Sequence, residues 1–86
     1  MNLCIISGTV TSEIKYDFLY ESKKNIAIAN FRFKMENDQY IDVYALDNVA
    51  DKIYARIKNG EHILIEGKIR DNGNLEVVFW ESIKWI

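Results

Sequence analysis

Apolar and polar residues alternate along most of this chain with a period of two, as they do in strands that bury one face. Leu3 to Val10 is a β-type run interrupted at Gly8, where a bulge or a close backbone approach is expected. Ile14 to Tyr20 begins with the apolar and charged alternation of a half-exposed strand, and Glu21-Ser22-Lys23-Lys24-Asn25 reads as a polar turn. From Ile26 to Met35 the two faces differ. Ala27, Ala29, Phe31, Phe33 and Met35 make one apolar face, while the other starts with Ile26 and Ile28 and turns polar at Asn30, Arg32 and Lys34. Glu36-Asn37-Asp38-Gln39 closes a hairpin into Tyr40 to Leu46, with Ile41, Val43 and Ala45 inward and Tyr40, Asp42, Tyr44 and Leu46 outward.

Only one stretch changes period. Val49, Ile53, Tyr54 and Ile57 recur at helical spacing, with Asp47 or Asn48 as N-cap, Asp51 near the positive helix end and Asn59-Gly60 as the stop. His62 to Arg70 returns to strand, with Ile63, Ile65, Gly67 and Ile69 sharing a side. Asp71-Asn72-Gly73-Asn74 is a hairpin signal, and Leu75 to Trp80 with Ile83 to Ile86 supplies a last strand or a bent pair. The order is three strands, one short helix and two strands. A sandwich would not place its only helix there, and βαβ units need more alternation. The pattern therefore predicts an all-β, five-stranded Greek-key barrel with its helix between strands three and four.

Composition adds bounds. With 86 residues, 49% of them apolar, the chain is long enough for one core, and without proline or any low-complexity spacer residues 1–86 read as a single domain. No apolar run is long enough to span a membrane, and the N-terminus has neither a basic leader region nor a cleavage site. The lone Cys4 has no disulfide partner within the chain and sits in an apolar run, which suits packing in a reducing compartment. These features predict a cytoplasmic protein, or a plastid one given the Ile, Lys and Asn bias of an AT-rich genome. Net charge is −2, so any affinity for nucleic acid has to come from local sorting of charge.

Four stretches carry a family resemblance. Met1 to Gly8 looks like an opening strand with its glycine, Glu13-Ile14-Lys15-Tyr16 is an acidic-apolar-basic segment, and Ile28-Ala29-Asn30-Phe31 is similar to a Val-Ala-Asn-Phe strand. The longest runs from Tyr40 to Asp51 and then from Lys58-Asn59-Gly60 through Ile65-Glu66-Gly67-Lys68-Ile69-Arg70. In this order and spacing they resemble the bacterial single-stranded DNA-binding proteins, including the short primosomal forms. The resemblance implies an OB-fold, a replication, recombination or plasmid and phage role, pairing through the first strand, and a replication protein as a possible partner. There are departures. Ser12 replaces a usual proline, Glu36-Asn37-Asp38-Gln39 lacks a tryptophan, Leu46 replaces an aromatic, the basic loop is trimmed to Asp71-Asn72-Gly73-Asn74, and no acidic tail follows.

Binding of single strands without sequence preference needs aromatic rings for the bases and cations for the phosphates. Arg32, Lys34, Tyr40 and Tyr44 share the outward face, Lys68 and Arg70 sit at the end of a strand beside the loop that borders the groove in such barrels, and Lys23 and Lys24 extend from the first hairpin. The alternative is ordinary solvated charge, with tyrosines covering a sheet. Asp42 and Glu66 lie on the same strand faces and oppose phosphate. If Val77 and Phe79 face inward, Trp80 faces out. Leu3 and Ile5, alternating with core-facing Cys4 and Ile6, then join Trp80 and Trp85 as contacts of a homodimer or homotetramer, in preference to a second stacking platform.

Catalysis finds little in the sequence. His62 is the single histidine, with no Cys or second His nearby for a metal, and no serine lies in a nucleophile-like setting. The sequence thus predicts a non-catalytic module without cofactor that binds single-stranded DNA, or RNA, with no membrane contact. Its rival is an OB-fold adaptor or complex subunit that binds protein and has lost nucleic acid.

Overall fold

The computed structural model describes residues 3–70 and 73–83. Its strands are β1 (Leu3–Val10), β2 (Lys15–Glu21), β3 (Lys24–Met35), β4 (Tyr40–Leu46), β5 (His62–Ile69) and β6 (Leu75–Ser82), with one helix, α1 (Asp47–Arg56), after β4. The sheet order is β1-β5-β6-β4-β3-β2, and β1 also pairs with β3, so β1, β5, β6, β4 and β3 close into a barrel. The predicted five-stranded barrel is present. Three of its strands precede the helix and two follow it, with Lys15–Glu21 as a sixth strand outside the closure, paired to β3 alone.

Closure depends on β1. From Leu3 to Thr9 it runs antiparallel to β5, and from Gly8 to Val10 it also pairs with Phe33 to Met35 of β3. At Gly8 the two pairings overlap, and a Cβ there would lie 2.1 Å from the Lys34 carbonyl oxygen. The close backbone approach expected at this glycine is real, and only a residue without a side chain fits it.

The inward faces fill the barrel. Val10, Phe31, Phe33, Val43, Ala45, Ile63, Ile65, Leu75 and Val77 are buried, and Ala50 and Ile53 of α1, with Ile57 just after it, pack onto them. Ile69, placed with the inward set by alternation, is instead largely exposed at the barrel rim. Tyr54 is also outside the core. Its ring stacks on Tyr16 at 4.6 Å, and the Tyr16 hydroxyl donates to Asp51 Oδ1 at 2.5 Å, tying β2 to the helix. Asp51 therefore serves this contact, and the helix N-cap is Leu46 without a side-chain cap, in place of Asp47 or Asn48. The helix ends at Arg56, before Asn59-Gly60, and Gly60 at φ 93 belongs to the following turn.

Turn chemistry sets the hairpins. Ser22 and Lys23 both have positive φ (52° and 64°), the two-residue turn whose twist matches antiparallel strands, so β2 and β3 form a long arm. On β6 one residue is inserted. Gly67 pairs with Val77 and Glu66 with Phe79, leaving Val78 as a bulge. The bulge inverts the expected facing: Phe79 is exposed, and Trp80 packs against the core.

Two outcomes follow. Gly8→Ala should destabilise the fold by about 1–3 kcal/mol or more, because the new methyl meets backbone and not a flexible side chain; urea denaturation measures this. The hydrogen bond to Asp51 raises the Tyr16 phenol pKa above its ordinary value, with smaller contributions from desolvation and from the nearby charges of Asp51 and Tyr54. The contact therefore contributes fully below the ordinary phenol range and is lost as pH rises through the raised value. In an ultraviolet titration, Tyr16→Phe should remove a tyrosinate component ionising above about 10, and Asp51→Asn should bring that component down.

Candidate nucleic-acid interface

The outward face of β3 and β4 is built from cross-strand pairs that point the same way. Lys34 lies opposite Tyr40, Arg32 opposite Asp42, Asn30 opposite Tyr44 and Ile28 opposite Leu46. The row through Asn30 and Tyr44 extends in both directions, to Lys15 on β2 and to Glu76 on β6, and from Glu76 to Lys68 and then Leu3. Arg32, Lys34, Tyr40, Tyr44 and Lys68 thus share one continuous surface. Arg70 joins it at the end of β5 through bonds to Glu76 (2.7 Å from Nε, 2.5 Å from Nη2).

At the centre lies a groove of about 580 Å³. Tyr44, Asn30 and Arg32 line it, with Ser12 and Lys15 on one side and Asn74 of the β5–β6 loop on the other. It lies across the middle strands of the barrel, between the segment after β1 and the loop before the last strand. Lys15 is a groove residue that the sequence reading did not assign to the site. The alternation Ile14-Lys15-Tyr16 was its signal, because it turns Lys15 outward beside Asn30.

The cations here are largely self-neutralised. Arg32 Nη1 pairs with Asp42 Oδ1 at 2.9 Å, and its guanidinium carbon lies 5.4 Å from the Tyr40 ring centroid. Lys34 reaches Asp38 at 3.4 Å. The hydrogen bond and charge of Glu76 raise the Arg70 pKa against the opposing effect of desolvation, with smaller help from Tyr44. Lys15 and Lys68 make no ion pair among the described residues. Tyr40 is half exposed and Tyr44 is partly buried, so Tyr40 offers the more open ring.

Leu3 and Ile5 are exposed on the outward side of β1, as alternation predicts, and Phe79 lies in the same cross-strand row as Ile5 and Glu66. Trp80 faces the core instead, and Trp85 lies outside the described residues, as do Asp71 and Asn72. His62 sits between Thr9 Oγ1 (3.3 Å from Nδ1) and Glu36 (3.1 Å from Nε2), a link between strand ends. Among the described residues no group of three or more His, Cys, Asp or Glu side chains is placed to hold a metal ion, and no helix is long and apolar enough to cross a membrane.

Solved structures share this architecture. The SSB domain of a Synechococcus protein superposes with a TM-score of 0.80 at 20% identity, covering 95% of this chain and 96% of that one. The single-stranded DNA binding protein from Thermus aquaticus gives 0.79 at 19% identity over 99% of this chain, which spans 41% of the Thermus chain. A small single-stranded DNA-binding protein from Streptomyces coelicolor gives 0.65 at 13% identity, covering 96% and 95%. No protein-family model matches the sequence, and no curated protein matches it significantly. The likeness establishes the fold: an OB-fold barrel built as in the SSB proteins.

The exposed Arg32–Asp42 pair should add little to stability. A double-mutant cycle with Arg32→Ala and Asp42→Ala should give a coupling below about 1 kcal/mol, since both side chains are more than half exposed and screened.

Proposed function

We propose that this chain is a non-catalytic module that binds single-stranded DNA, or RNA, across β3 and β4 without sequence preference. The observation that carries the proposal is the groove itself. It opens on the face and between the loops where OB-folds take oligonucleotides, with Tyr40, Tyr44, Arg32 and Lys15 on or beside it. The names of its structural neighbours from Thermus aquaticus and Streptomyces coelicolor support the reading. In this proposal Tyr40 and Tyr44 stack on bases, while Lys15, Arg32, Lys34, Lys68 and Arg70 meet phosphates. The module works as a single domain in cytoplasmic DNA replication, recombination or plasmid maintenance, and pairs into dimers or tetramers through Leu3, Ile5 and the neighbouring Phe79.

A second reading is favoured by one observation. Arg32, Lys34 and Arg70 each already hold a carboxylate, which lowers the electrostatic gain from phosphate. On that reading the barrel is an adaptor for a protein partner.

Titration of labelled oligo-dT at low salt separates the two. Binding at micromolar protein, weakening with salt by about 0.7 log units per log unit for each phosphate contact, supports the first. Tyr40→Ala should weaken it by about 1–3 kcal/mol, and Asp42→Asn should strengthen it by freeing Arg32. Absence of binding at micromolar protein would falsify the nucleic-acid reading.

A further inference from the structure

A second groove, of about 410 Å³, lies between α1 and the later part of β6. Val49 and Trp80 line it from the helix and strand sides, and Lys52 and Arg56, one helical turn apart, are exposed beside it. Neither cation makes an ion pair among the described residues, in contrast to Arg32, Lys34 and Arg70. Among the described residues Glu81 is the one acid lining this groove.

Among the described residues the strand wall of the groove is an open edge. On one side β6 pairs with β5 from Leu75 to Ser82; on the other it meets β4 at Leu75 and Glu76 alone. The Ile83 N–H donates to the His62 carbonyl at 3.0 Å. Antiparallel alternation then turns Glu81 toward β5 as well and directs the N–H and C=O of Trp80 and Ser82 to the open side. Among the described residues no backbone hydrogen bond reaches that side beyond Glu76.

An unpaired edge facing an apolar groove is a template for an added strand. The occupant's chemistry follows from the surroundings. Alternating backbone donors and acceptors match another peptide backbone, whereas a phosphate chain only accepts. The lining sets aliphatic Val49 and Val78 beside the Phe79 and Trp80 rings, so it is the backbone edge, and not the absence of rings, that selects a peptide. Lys52 and Arg56 add a local positive charge that a carboxylate satisfies. We propose that the β6 edge receives an extended, acidic segment of a protein partner as an added strand, its apolar side chains over Val49 and Trp80 and its carboxylates at Lys52 and Arg56. This site shares no residue with the groove on β3 and β4, so it stands or falls independently of nucleic-acid binding.

The probe is a synthetic peptide of about ten residues with an apolar β-branched centre and aspartates at both ends, followed by amide NMR and hydrogen exchange. Expected are saturable shifts and protection at the Trp80 and Ser82 amides, roughly tenfold weaker binding with Lys52→Glu and Arg56→Glu together, and loss of binding when proline replaces a central residue. A peptide with lysines for the aspartates should bind the doubly charge-reversed protein better than the unaltered one. The proposal is overturned if no shift appears at millimolar peptide, or if the lysine peptide binds the unaltered protein equally well. It is also overturned if oligo-dT shifts these amides in place of the peptide, or if they shift with protein concentration alone because a second copy takes the edge. Oligo-dT binding read at Tyr40 and Tyr44 should be unchanged in the charge-reversed protein, so failure of either site is recognised separately.

Discussion

One strand pairing on two sides closes this molecule. β1 gives one edge to β5 and, over its last residues, the other to β3, and the double pairing is possible only because Gly8 lets the Lys34 carbonyl approach within the space of a side chain. That closure encloses Phe33, Ile63 and Ile65 and leaves α1 and the residue after it to cover the remaining opening with Ala50, Ile53 and Ile57. It also fixes the curvature of β3, which carries its outward residues past the barrel wall and into the arm with β2. The groove at Tyr44 depends on that closure: Lys15, Asn30, Tyr44 and Glu76 reach one row because β2, β3, β4 and β6 pair side by side in the sheet that the closure bends.

Charge is organised unevenly around that barrel. On β3, β4 and the β5–β6 end, cations are matched by carboxylates one strand or one turn away, so the surface is polar without being strongly positive. A ligand there competes with Asp42, Asp38 and Glu76 for the same guanidinium and ammonium groups, which shifts the weight of recognition to ring stacking. On α1, Lys52 and Arg56 make no ion pair among the described residues and stand beside apolar surface. The two grooves therefore differ in the kind of interaction they favour, even though both are formed by the same six strands and helix.

Much of this was legible in the sequence because strand alternation maps directly onto burial. Ala29, Phe31, Phe33, Val43 and Ala45 went inward, and Arg32, Tyr40 and Tyr44 outward, as a period of two requires. What was not legible depends on partners distant in the chain. The inward turn of Trp80 follows from an inserted residue on β6, which alternation within a single strand does not reveal. The pairing of Arg70 with Glu76 requires the hairpin register, and that of Lys34 with Asp38 requires the turn at Asp38. Asp51 looked like a helix-dipole residue because nothing local shows that Tyr16 would arrive from another strand.

The bulge at Val78 has a wider meaning for how such a surface changes over time. Substitution at Phe79 or Trp80 alters one side chain where it stands. Loss or gain of a single residue near Val78 would exchange the two rings, sending one into the core and the other into solvent. Length variation in this strand is thus a more abrupt route to a new outer surface than point replacement. It acts on β6, the strand that borders both the exposed row with Ile5 and the open edge beside α1.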